Sequence, residues 1–446
     1  MSHFGLCGLL AACAVVVGAS TAVAQTQQQK DACYKEGYTD DQTIAGCNAV
    51  LQAGTATGND LAAAYYNRGI GYQNKGELER AIKDYDQALK LRQGYGSAYN
   101  NRGNVYASLG QQERAIQDYD LAIKNQATMP EPYNNRGNAY RRLNQLDRAL
   151  PDFDQAIKLR PSYTQAYANR GHLNLDKKDY EKAIQDYSQT IKLAPAGSDG
   201  YYDRSRAYAA KLDWDHAMQD LDQAIKLKPD YTNAYIERGI ARRNKSQYAE
   251  AVADYSQAIK LDPVNSTAFN NRGNAYRYMK EWDKAIADLD QALKLKPDYA
   301  LALRNRALSR EGKGDMEGAL RDFDAAVKFN PADADSWNSL CWNRAVGGQL
   351  QRALADCNRG IFAAPTGSHI LDSRGFTELK LKLYEAAIAD YDAALKAQPE
   401  LAPSLYGRGL AKQLVGDKAG GDADIEAALK IRPEVAQDFE RWNYKP

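Results

Sequence analysis

"YNNRGNAYRRLNQLDRALPDFDQAIKLRP" stands at residues 133–161, and its internal spacing decides the fold. Tyr133, Gly137 and Tyr140 fall four and then three residues apart, and Ala149, Phe153 and Ala156 repeat that spacing. Such positions share one face of a helix, so the stretch reads as two amphipathic helices. "LNQLD" between them is a short turn. Pro161 ends the second helix, because proline lacks the N–H that the helical ladder requires. The small residues Gly137, Ala149 and Ala156 mark where two backbones approach, and the larger rings fill the space beside them. Pro151 lies inside the second helix and is expected to bend it.

The heptapeptide "NNRGNAY" within this stretch (134–140) returns letter for letter at 270–276, and "NNRGNVY" stands at 100–106. These separations are multiples of 34. Steps of 34 from Arg136 reach an arginine at ten of eleven positions between Arg68 and Arg408; the exception is Leu340. Sixteen residues beyond each marker stands an aspartate, in all eleven cases, from Asp84 to Asp424. No insertion breaks this register, so eleven tandem repeats run over 62–435, each a helix hairpin. Prolines from Pro161 to Pro433 fall in phase near the repeat ends.

Composition excludes several classes of function. Lys plus Arg is 58 against 57 for Asp plus Glu, which leaves no basic footprint for nucleic acid and no pull towards an anionic membrane. The 30 tyrosines against 8 phenylalanines recur at fixed spacing and therefore read as architecture. His3, His172, His216 and His369 are scattered, with no spacing that suits a metal. No glycine-rich phosphate loop and no isolated acid–base pair stands out from the repeat. The chain is accordingly expected to be no enzyme, and to carry no cofactor and no metal.

The first 24 residues hold no Lys, Arg, Asp or Glu; an apolar core near Leu9–Val17 is followed by Ala22-Val23-Ala24. This predicts a signal peptide over 1–24, cleaved after Ala24, and hence export to a periplasmic or secreted location. The apolar stretch is too short for a membrane span. The alternatives are a lipid anchor at Cys13, since "LAAC" (10–13) resembles a lipoprotein signal, and a buried N-terminal helix. Cleavage would leave Cys33, Cys47, Cys341 and Cys357, an even number in an oxidising compartment.

Tyr133, Gly137, Tyr140, Ala149, Phe153, Ala156 and Pro161 match the pattern of the tetratricopeptide repeat, and the resemblance covers 374 of 446 residues. It implies an all-α, right-handed solenoid of helix hairpins that binds extended peptides or partner proteins on its concave face and carries no chemistry. The chain departs from the family by placing Arg where Leu is usual. A buried arginine needs a partner, and the aspartate sixteen residues on is the obvious one. Arg102–Asp118, Arg136–Asp152 and Arg272–Asp288 are therefore expected as structural ion pairs.

The ninth repeat has Leu340 at the marker, with Cys341 and Cys357 at the positions of Gly137 and Phe153. A Cys341–Cys357 disulfide is expected across that hairpin, contributing roughly 3 kcal/mol in the chain-entropy model; the alternative is two buried thiols. Residues 25–61 read as a degenerate capping hairpin bridged by Cys33–Cys47, and 436–446 as a C-terminal cap carrying Trp442.

In the family, the residue before the marker faces the groove, where Asn hydrogen-bonds a peptide backbone or terminal carboxylate. The resemblance thus assigns Asn67, Asn101, Asn135, Asn169, Asn271 and Asn305 to a peptide groove, interrupted by Asp203 and Glu237. Asn104, Asn138 and Asn274, two residues past their markers, join them. Arg141, Arg142, Arg243 and Arg277 lie a turn further on and could read acidic groups. Against this stands an empty groove, in which the amides cap or hydrate the repeat. The expected function is an exported, non-catalytic interaction scaffold binding a protein or extended peptide. The alternative is a structural or self-associating envelope scaffold without a peptide ligand.

Overall fold

The computed structural model describes residues 27–54 and 56–444. The leader expected over 1–24, with Cys13, lies outside them. The described residues form helices with no strand among them. A short helix over 27–34 (α1) and α2 (Asp40–Ala53) precede eleven helix pairs, from α3 (Gly58–Asn74) with α4 (Leu78–Leu91) to α23 (Ala402–Leu414) with α24 (Lys418–Ile431). A last helix, α25, spans Val435–Arg441. The chain divides after Leu227 into two compact halves.

Repeat three shows why these residues make hairpins. Its helices are α7 (Pro130–Arg142) and α8 (Leu146–Leu159). Ala149, Phe153 and Ala156 are wholly buried and Tyr140 nearly so. A Cβ placed on Gly137 would lie 2.9 Å from Cε1 of Phe153, so the ring occupies the space that the glycine leaves open. The same contact pairs Gly103 with Tyr119 and Gly239 with Tyr255. Helix α8 remains helical across Pro151, which points to solvent.

Each hairpin closes on one residue with positive φ, again at intervals of 34: Gly76, Gly110, Asn144, Lys178, Leu212, Ser246, Lys280, Gly314, Gly348, Lys382 and Gly416. The next N–H then reaches back to a carbonyl of the helix's last turn, as Gln145 does to Tyr140 at 2.8 Å. That left-handed closure satisfies the helix C-terminus.

Within the second half, α25 packs onto α23, and the chain then carries Trp442 against Trp342, with ring centroids 4.7 Å apart. Lys380 Nζ holds this end by donating to the carbonyls of Trp442 (3.1 Å) and Ala345 (2.8 Å). At the other terminus, Cys33 and Cys47 lie at disulfide-bonding distance with Cα atoms 4.6 Å apart, and both are buried.

Candidate functional site

Two sets of polar side chains cross the hairpins, and their partners separate structure from surface. The first set is the marker arginines. Arg136 donates from Nε and Nη2 to Asp152 at 2.8 and 2.6 Å. Arg102 grips Asp118 at 2.8 and 2.7 Å, and Arg272 grips Asp288 at 2.7 Å twice. Such bidentate pairing suits the planar guanidinium and offsets the cost of burying both charges.

The remaining donor, Nη1, reaches the repeat before: Asp120 from Arg136 at 2.5 Å, and Ser256 from Arg272 at 3.0 Å. Arg136 and Arg272 thus each tie three helices, two of their own repeat and one of the predecessor. The acceptors of this third bond form a polar column eighteen residues after the markers, including Asp86, Asp120, Asp154, Ser188 and Asp290. That column stands in plain phase in the sequence.

Repeat nine keeps the tie with other residues. Arg344, one helical turn past Leu340, donates to Asp356 and, at 2.8 and 2.7 Å, to Asp324 of the preceding repeat. Cys341 and Cys357 replace the glycine–ring contact and lie at disulfide-bonding distance, with Cα atoms 5.2 Å apart.

The second set is the asparagines. Asn135 Nδ2 donates to Asn100 and Asn104, both at 3.0 Å. Asn169 donates to Asn134 at 2.9 Å, and Asn305 to Asn270 at 2.9 Å. Asn101 donates to the Tyr66 hydroxyl at 3.0 Å and Asn67 to the Cys33 carbonyl at 2.9 Å. Asn104 also accepts from the Tyr119 hydroxyl at 2.9 Å. Asn138 is half-buried, its carbonyl oxygen enclosed without a hydrogen-bond partner. The acceptors Asn100, Asn134 and Asn270 stand two residues before their markers, so each "NN" doublet is one link of an amide chain between repeats. Asp203, which interrupts the first run, takes His172 Nε2 at 3.0 Å.

Asn271 differs. It accepts from Asn270 at 3.1 Å, but the position that supplies an acceptor in other repeats is Ile236. Its own Nδ2 has no acceptor among the described residues. Asn274 accepts from Arg277 Nε at 3.0 Å and likewise keeps its amide donor free. Both line a cleft of about 640 Å³ in the second half, together with Asn305, Arg243, Arg277, Arg304, Tyr248 and Tyr278. Arg304 is held by Asp333 and Asp335 at 3.0 and 3.1 Å. Arg277 lies 4.3 Å above the Tyr278 ring, which stacks on Tyr248 with centroids 5.1 Å apart. Arg243 forms no ion pair among the described residues. The cleft therefore offers two amide donors and two cations over a tyrosine wall.

Tetratricopeptide repeat models match residues 134–198, 266–299 and 369–401, and a further TPR repeat model matches 72–110, 103–143 and 239–277. The chain is a tetratricopeptide repeat protein. Among solved structures it is similar to YrrB, titled a TPR protein with an unusual peptide-binding site. That likeness has 28% identity over 42% of this chain and 95% of the other, at a TM-score of 0.36. It is also similar to MamA, with 26% identity over 39% and 94% and a TM-score of 0.35. Yeast Tom70 is 15% identical over 86% and 96%, at a TM-score of 0.40. No curated protein matches the sequence.

The tetratricopeptide repeat fold is that of a protein–protein interaction scaffold. Among the described residues of this TPR protein, no three His, Cys, Asp or Glu side chains gather as a metal set. None of its described helices is long and apolar enough to cross a membrane.

Proposed function

We propose that the protein is an exported, non-catalytic scaffold that binds an extended, acidic peptide segment in the cleft at Asn271 and Asn274. One observation carries this reading: two amide donors without an acceptor among the described residues, those of Asn271 and Asn274, line the same open cleft, beside Arg243 and Arg277. An amide donor meets a peptide carbonyl without demanding a particular side chain, and the guanidinium groups favour carboxylates along the same segment. Two cysteine pairs at bonding distance support an oxidising compartment.

The test is a pull-down from an envelope fraction with the full chain and with the Asn271→Ala/Asn274→Ala variant. A partner retained by the first and lost by the second supports the reading. Equal retention by both sinks it. The self-associating alternative draws on the amide chain at Asn101, Asn135 and Asn169, whose donors are already occupied. It predicts concentration-dependent oligomers that the variant does not disturb.

A further inference from the structure

Phe362 is 91% exposed, on the second helix of repeat nine. Steps of 34 place a lysine at its position in all ten other repeats, from Lys90 to Lys430, with Lys328 and Lys396 in the two neighbours. An aromatic ring therefore stands open to water where the repeat calls for a charge. A site nearby explains what it could serve. Phe362 borders an apolar hollow of about 490 Å³ with Val327, Pro331 and Trp337. The floor is fixed: Trp337 is 8% exposed, and its Nε1 donates to the Pro331 carbonyl at 2.9 Å. The rim is cationic. Arg359 lies 5.2 Å above the Trp337 ring, and Lys328 also lines the hollow. Neither cation forms an ion pair among the described residues.

We infer that this hollow is a second docking site, separate from the amide cleft, for a partner segment that pairs an aliphatic or aromatic anchor with nearby carboxylates. The anchor fills the space between Phe362 and Trp337, where a ring already stands without cover. The carboxylates meet Lys328 and Arg359. Charge decides between this occupant and a second copy of the chain. A two-fold contact would bring Lys328 and Arg359 of both copies together without adding an acid.

The variant that tests this is Phe362→Lys, because it restores the residue of the other ten repeats and so preserves folding. A random peptide display library is selected on the full wild-type chain, and the recovered peptides are titrated by fluorescence anisotropy. The expected result is a class of peptides with an apolar anchor next to Asp or Glu. These bind Phe362→Lys about tenfold or more weakly, yet bind Asn271→Ala/Asn274→Ala as they bind wild type. Three results overturn it: no such class is recovered; the peptides bind Phe362→Lys undiminished; or sedimentation finds wild-type dimers that Phe362→Lys dissolves, which makes a second copy the occupant. The second of these, joined to loss of binding in the amide-cleft variant, would assign the peptides to that cleft.

Discussion

Arg344 donates to Asp356 through Nη1 and to Asp324 through Nη2, and so restores from one helical turn away the tie that Leu340 removes. The substitution is local, but the geometry it preserves is periodic. The same later position carries Arg242, Arg310 and Lys412, which pair with Asp254, Asp322 and Asp424 alongside the marker arginines. Repeat nine is thus the one hairpin whose aspartate relies on this second position without help from the first.

Arg344→Met should therefore cost more than removing one of the two partners of a doubly supported aspartate. Asp356 is buried, and removing its partner leaves a charge without compensation, at about 3 kcal/mol. Arg310→Met leaves Asp322 with Arg306 and should cost about 1 kcal/mol or less. Restoring the repeat in the double variant Leu340→Arg/Arg344→Met should recover most of the loss. Urea denaturation followed by circular dichroism reads all three, and equal midpoints for the two single variants would refute the account.

Leu212 closes its hairpin at φ +62, and its side chain is exposed. A left-handed backbone costs a non-glycine residue about 1 kcal/mol or slightly more. Glycine serves at the same place in five other hairpins, Gly76 among them. Leu212→Gly should raise stability by about 0.5–1 kcal/mol after the entropy of the added glycine is counted. Gly76→Leu should lower it. A Leu212→Gly melting temperature at or below that of wild type would count against a strained turn.

Most of the architecture was legible because the repeat writes each contact eleven times. A period of 34 with small and aromatic residues in phase demands hairpins. A marker arginine followed invariably by aspartate demands a partner. What escaped the reading were relationships between columns rather than within one. The third arm of Arg102, Arg136 or Arg306 uses an aspartate sixteen residues before it, in the preceding repeat, and the rescue by Arg344 uses the column four residues past the marker. Both are visible in the sequence once the fold brings those positions together. The asparagines show the opposite case. Read singly, Asn135 and Asn169 look free for a ligand. Only the packing of consecutive first helices reveals that Asn100 and Asn134 accept their donors, and that Ile236 leaves Asn271 without one.

The cysteine pairs make a prediction independent of the groove. With Cys33–Cys47 and Cys341–Cys357 closed, intact mass should rise on reduction by the hydrogens of two bridges. Thiol alkylation of the unreduced, denatured chain should label none of these four. Reduction should destabilise by up to about 3 kcal/mol at Cys341–Cys357, whose sequence separation is 16. Four alkylated thiols before reduction would show that repeat nine is held by packing alone.

Glu378 gives the chain a pH dependence opposite in sign to that of a paired carboxylate. It occupies the position where Arg242, Arg310 and Arg344 stand in their repeats, yet it is acidic, buried and beside Asp390. Its Oε2 has no hydrogen-bond partner, and Arg374, 3.9 Å away, is committed to Asp390. Burial, and then the charge of Asp390, push its pKa up to about 7 from the ordinary 4.5. A raised carboxyl pKa means that the folded chain binds more protons than the unfolded chain. This stabilisation is complete below about 4.5 and is lost as pH rises through about 7. Glu378→Gln, which keeps the neutral form at every pH, should melt like wild type at pH 4.5 and above it at pH 8. Glu378→Arg should go further and pair with Asp390, as Arg344 pairs with Asp356. If Glu378→Gln and wild type lose stability in parallel between these pH values, Glu378 is ionised in the folded chain and the assignment fails.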